Sequence, residues 1–199
     1  MDDLPQSPET SVSATPRRRR AGAARNREAL LDAARAALAG GGGSFSLEAV
    51  ARQAGVGIGT LYRHFPTREK LVTAAYEAQV EDLIDQAGIL LANLPPRQAL
   101  REWLGHFARF VTTKHGMLDA LRITLVEDAG TRDIEGIRER MAAAITPILQ
   151  AGAADGSLRG DVAAGDVVRL VGGALMPARV GTDRTQRLLD LVLDALRPV

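Results

Sequence analysis

The chain has 199 residues, enough for one sizeable core or for a small domain joined to a larger one. It has no cysteine, no apolar run of membrane-spanning length and a polar, acidic N-terminus, which exclude disulfides, cysteine-based metal sites or nucleophiles, a transmembrane span and a secretory signal. The net charge of +1 conceals an asymmetry: residues 1–16 carry −3, residues 17–71 carry 11 Lys/Arg against 4 Asp/Glu, and residues 72–199 carry 14 against 17. A basic first third on a slightly acidic remainder points to a polyanionic partner for that third, and the whole fits a cytoplasmic protein.

In chain order, residues 1–16 are rich in Ser, Thr, Pro and acid, and are expected to be disordered. Arg17, Arg18, Arg19 and Arg20 follow, so residues 1–24 read as a tail with a basic arm. Leu30, Ala33, Ala34, Ala37 and Leu38 then repeat at helical spacing until Gly40–Gly43 ends the pattern. Ser46 is placed to cap a helix running to about Ala54, and Gly55 breaks it. A short helix from about Ile58 to His64 stops at Pro66, and Thr67 can cap the next, whose face holds Leu71, Ala74, Ala75 and Leu83. Pro95-Pro96 opens another helix, bearing Leu100, Trp103, Leu104, Phe107 and Val111, which Gly116 is expected to break. A short helix around Leu118–Leu125 comes next, then a long stripe from Ile134 to Leu149 that Pro147 should kink. Asp161 can cap a helix with Val167, Leu170, Val171, Ala174 and Leu175, and Leu188, Leu191, Val192 and Leu196 define the last. No segment alternates with period 2, so the fold class is all-α.

The stretch from Phe45 to Leu71 carries the chemistry. Two short helices joined by a glycine-containing turn read as a helix-turn-helix. Ala51 is small where the helices cross, Gly55 supplies the turn's backbone angle, and Val56, Leu61 and Phe65 can pack the second helix on the first. Gly57, Ile58, Thr60, Tyr62 and His64 are left to face outward.

Residues Ser46 to Leu71, above all the core Gly59-Thr60-Leu61-Tyr62-Arg63-His64-Phe65 followed by Lys70 and Leu71, closely resemble the DNA-binding signature of the tetracycline-repressor (TetR) family. The resemblance covers about residues 25–75. It implies a three-helix DNA-binding domain over 25–71, with Ile58–His64 as the recognition helix, and a ligand-binding and dimerisation domain over 72–199. It also implies DNA contacts from Thr60, Tyr62 and His64, and a phosphate held by Lys70. Ser46 can donate to a phosphate at a helix start, and Arg63 is a candidate for base or phosphate. Ile58 can touch thymine methyls, and the arginine arm can reach phosphates or the minor groove, though a solvated tail is the plainer reading of that run. Gly57 departs from the Ser or Thr that the family often places there, which removes a side-chain cap.

The C-terminal signals are weaker. Trp103, His106, Phe107, Phe110, Arg122, Met141 and Met176 are candidate ligand contacts, although aromatic or methionine residues at helical spacing are more often plain core. Arg122, set between Leu121 and Ile123, would suit an anionic or carbonyl-bearing ligand. Val167, Leu170, Val171, Ala174, Leu175, Leu188, Leu191 and Val192 are candidate dimer contacts in a four-helix interface. No metal-ligand spacing, nucleophile elbow or phosphate loop is present, so neither an enzyme nor a cofactor is expected. The expected function is a homodimeric repressor released from a double-stranded DNA operator by a small molecule; the alternative is an activator or architectural protein without a ligand.

Overall fold

The structure, a computed structural model, describes the backbone of residues 16–39, 45–121, 130–175 and 182–198, and their side chains except at 16–19, 112–121, 130–134 and 182. Arg122 and Met176 lie outside the described residues, as do the side chains of Arg17, Arg18 and Arg19. Among the described residues the chain forms helices only: α1 (Pro16–Ala39), α2 (Leu47–Gln53), α3 (Ile58–His64), α4 (Arg68–Asn93), α5 (Pro96–Leu121), α6 (Gly130–Ala154), α7 (Ala164–Leu175) and α8 (Thr182–Ala195).

Three expectations are corrected. The segment from Pro16 to Arg20 opens α1 rather than forming an extended arm before it. Proline suits a first helical turn, where its missing N–H has no partner to lose, and Arg and Ala are strong helix formers. α5 runs through Gly116 to Leu121. An internal glycine costs about 1 kcal/mol relative to alanine, which a 26-residue helix tolerates. Asp161 does not cap α7, because both its carboxylate oxygens are held by Arg159, at 2.6 Å from Nε and 2.7 Å from the terminal nitrogen. Ala163 takes the first turn instead, its carbonyl accepting from the backbone N–H of Asp166 and Val167.

Two apolar cores form. The smaller joins Leu30, Leu31, Ala34 and Leu38 of α1 to Val50 and Ala51 of α2, Leu61 of α3, and Leu71, Val72 and Ala75 of α4. The larger collects Val80 and Leu83 of α4 with Trp103 and Phe107 of α5, Met141, Ile145 and Ile148 of α6, Val167 and Val171 of α7, and Leu189 and Leu193 of α8. α4 contributes to both, and half-buried Tyr76 packs against each. A single rod about 39 Å long, from 26 residues at about 1.5 Å each, therefore runs from the smaller core into the larger. α1 also packs on α4 and α5, giving the two cores a second line of contact.

Candidate nucleic-acid interface

The two-helix unit is set by local chemistry. Ser46 caps α2, its Oγ accepting from the Ala49 N–H at 3.3 Å. α2 ends at Ala54, and Gly55 takes φ +68°, a left-handed conformation that a side chain would strain. The chain reverses there, and the Val56 N–H returns to the Ala51 carbonyl at 3.0 Å. α3 starts at Gly57 with no side-chain cap, the consequence expected of glycine there. Leu61 and Phe65 are buried and Val56 half-buried, so these three pin α3 to the smaller core. Arg27 of α1 stacks its guanidinium over the Phe65 ring at 5.4 Å and holds the far end of α3.

What remains of α3 faces solvent. Ile58 keeps 39% of its surface exposed and Tyr62 46%, although both are large and apolar-bodied. Gly57, Gly59 and Arg63 are exposed, and Thr60 and His64 are half-buried at the margin. The structure thus brings Gly57, Ile58, Thr60, Tyr62, Arg63 and His64 onto one short helix, with Arg63 and His64 in its last turn. Arg63 Nε donates to the Gly59 carbonyl at 3.2 Å, which leaves its terminal nitrogens as the outward donors.

α4 opens beside this helix. Thr67 caps it, Oγ1 accepting from the Lys70 N–H at 3.2 Å, and the Lys70 side chain is exposed. Ser46 is less available than expected: its hydroxyl donates to Glu48 Oε2 at 2.8 Å. That hydrogen bond, with the Glu48 backbone N–H, holds the Glu48 carboxyl below the ordinary carboxylate range. Glu69 is likewise lowered, by its own backbone N–H and by the Thr67 hydroxyl. Both carboxylates sit in first turns, where the helix dipole favours them. Arg27 and Arg68, which stacks on Phe45 at 5.2 Å, are supporting residues that helical periodicity did not single out. An aromatic ring and an arginine distant in sequence give no pattern to read.

In the larger core, Trp103 is fully buried and its Nε1 donates to the Leu83 carbonyl at 2.9 Å. Its ring stacks on Phe107 at 5.4 Å, Phe107 on Phe110 at 6.2 Å, and Phe110 meets Tyr76 at 5.3 Å. Trp103, Phe107 and Met141 are buried in the larger core, where the aromatic ladder and the indole hydrogen bond join α4 and α5. His106 and Phe110 instead line a groove of about 210 Å³ between α1, α4 and α5, together with Arg35, Gln79, Asp82, Leu83, Gln86 and Arg109. Burial first, then Arg109, pushes the His106 pKa down, against an opposing pull from Glu102.

The proposed dimer residues divide. Val167, Val171 and Leu175 are buried in the larger core of their own chain. Leu170 and Leu191 stay 57% and 66% exposed, Ala174 is exposed, and Leu188 and Val192 are half-buried.

Among the described residues no helix is long and apolar enough to cross a membrane. The family model for bacterial regulatory proteins of the tetR family matches residues 30–75, and the model for the C-terminal domain of SbtR-like transcriptional regulators matches residues 95–198. The chain is 42% identical to the TetR transcriptional regulator SCO0520 from Streptomyces coelicolor, over 87% of this chain and 99% of that one, with a TM-score of 0.76. It is 32% identical to a TetR transcription regulatory protein from Mycobacterium vanbaalenii, over 90% and 99%, with a TM-score of 0.71. No curated protein matches the chain. With both domains matched and two solved structures similar over nearly their whole length, the chain belongs to the TetR family of bacterial transcriptional regulators, which bind DNA and are not enzymes.

Proposed function

We propose that this regulator is a homodimeric, cytoplasmic repressor that leaves its operator when a small molecule binds the C-terminal domain. The observation that carries the DNA reading is α3: a seven-residue helix pinned by Leu61 on one side while Ile58 and Tyr62 stay open to solvent on the other. A helix so placed can enter a major groove, with Thr60, Arg63 and Ile58 toward base edges and Tyr62, His64 and Lys70 toward phosphates. Arg17–Arg20, as the opening turns of α1, add positive charge for the flanking backbone.

Leu170, Ala174 and Leu191 offer an apolar face on α7 and α8, flanked by Leu188 and Val192, for the same face of a second chain. α4 supports the ligand response, because it joins the two cores and carries any displacement of the larger one to α3. Selection of bound duplexes from a random pool tests the arrangement. The expected site is two-fold symmetric, with half-sites ~34–36 Å apart on one DNA face. A single asymmetric site refutes the dimeric reading. Transcription from a promoter overlapping that site should fall when the protein is added, and a rise refutes repression.

A further inference from the structure

α7 and α8 each carry one charge on an otherwise apolar outer stripe. On α7 the exposed stripe is Asp166, Leu170 and Ala174, at helical spacing and opposite the buried Val167, Val168 and Val171. On α8 it is Arg184, the half-buried Leu188 and Leu191, opposite the buried Leu189 and Leu193. Neighbouring charges have partners within the chain: Arg169 pairs with Glu135, Asp190 with Arg101, and Asp194 with Arg97 and Arg197. The exposed Asp183 and Arg187 lie about one turn apart beside the α8 stripe and offset each other. Asp166 and Arg184 form no ion pair among the described residues. The helix dipole accounts for Asp166 in the first turn of α7, but it opposes Arg184 in the first turn of α8. A cation on an apolar stripe, at the unfavourable end of its helix and without an ion pair of its own, is left for a group outside the chain.

The two charges stand at opposite ends of the face. The Arg159 N–H, just before α7, donates to the Leu196 carbonyl, just after α8, at 2.9 Å, so the start of α7 lies beside the end of α8. Arg184 is then about 16 Å from that end, at about 1.5 Å of helix per residue. We propose that a second copy of this chain covers the face with its α7 and α8 reversed, so that Asp166 of each chain meets Arg184 of the partner subunit. This rests on the homodimeric reading above and adds to it a register and a basis for partner choice. A face that pairs with itself about a two-fold axis makes each contact twice. Reversed packing forms two Asp166–Arg184 pairs, one at each end of the apolar strip. Packing in the same direction sets arginine toward arginine and aspartate toward aspartate, two like-charge contacts at a desolvated surface. The charges therefore admit one register and disfavour a partner chain that lacks their complement.

Sedimentation equilibrium and native mass spectrometry of the full chain test this. Asp166→Arg and Arg184→Asp should each weaken the dimer by at least roughly 10-fold, because either change sets two like-charge contacts in the interface. The two substitutions in one chain should bring it back to within about 3-fold of the parent, since both pairs re-form with their signs exchanged. An equimolar mixture of the two single variants should recover dimer as the mixed species, in which both contacts again join opposite charges. A role of these residues in folding alone gives no such recovery. Single variants that dimerise like the parent, a double variant as weak as the singles, or absence of the mixed dimer overturns the pairing. Preference of the Arg184→Asp chain for the parent over the Asp166→Arg chain overturns the reversed register. Leu191→Glu separates this inference from the reading beneath it. A dimeric Leu191→Glu protein removes the face and the pairing together, whereas a Leu191→Glu monomer beside unaffected charge variants keeps the face and removes only the pairing.

Discussion

Replacing Leu61 by Ala should dislodge α3. α3 has seven residues, too few to hold helical structure alone, so its position depends on tertiary contacts. Leu61 is its one buried residue, at 0% exposure, with Phe65 following at its C-cap. Truncation of a fully buried leucine costs about 2–5 kcal/mol, from lost transfer energy plus the cavity left behind. The smaller core is poor in volume to absorb that loss, since four of its twelve buried residues, Ala33, Ala34, Ala51 and Ala75, are alanines. The loss is therefore expected to unfold the N-terminal unit locally before the larger core gives way. Hydrogen exchange read by mass spectrometry, peptide by peptide, should show α2 and α3 losing protection while α5 and α6 keep it. Operator binding should fall in parallel. Tyr62→Ala is the control: 46% exposed, it should change stability by no more than about 0.5 kcal/mol and still weaken DNA binding. A Leu61→Ala protein with parental protection in α3 and parental operator affinity would refute the account of how α3 is held.

Four other outcomes are expected. Lys70→Ala should weaken binding to all DNA sequences alike and reduce the slope of log affinity against log salt by about 1, as measured by fluorescence anisotropy across salt concentrations; an unchanged slope removes Lys70 from the phosphate contacts. Leu191→Glu should split the dimer in sedimentation while leaving helical content intact, whereas Leu175→Glu, at a position 5% exposed, should unfold its domain; a dimeric Leu191→Glu protein places the interface elsewhere. Gly152→Ala should destabilise by about 1–3 kcal/mol, because the new Cβ would meet Leu158 at 2.4–2.9 Å, including its Cβ, and this overpacking outweighs the helix propensity gained; an increase in denaturation midpoint contradicts that contact. His106 has a folded pKa below its unfolded value, so the unfolded state takes up the proton first and stability declines as pH falls from the ordinary histidine value to the folded one. His106→Gln should remove that decline, and a pH profile identical to the parent's argues against a lowered pKa for the half-buried imidazole.

Much of the DNA-binding unit was legible in the sequence because its determinants are local. Ser46 and Thr67 cap the helices that follow them, Gly55 takes the left-handed turn, and α3 spans Ile58–His64 as its flanking Gly57 and Pro66 dictate. Each depends on a side chain and a backbone group within about one turn of helix, so neighbours in sequence suffice to specify it. The opening of α1 was the exception: adjacent arginines and alanines suit a solvated arm or an extended helix, and here they continue the helix back to Pro16.

The C-terminal domain was decided by tertiary packing. α7 carries apolar residues on more than one stripe, and its sequence does not say which stripe turns inward. Packing against α5 and α6 buries Val167, Val171 and Leu175 and leaves Leu170 and Ala174 outside. Likewise α8 buries Leu189 and Leu193 and exposes Leu191. Trp103 donates its indole N–H to the Leu83 carbonyl, 20 residues earlier, a partner that no helical period announces. Arg35 and Asp82 stand 47 residues apart and meet only because α1 lies across α4. A helical period records that a residue is apolar or charged; which neighbour it meets is fixed by how the helices cross, and that is a property of the assembled chain.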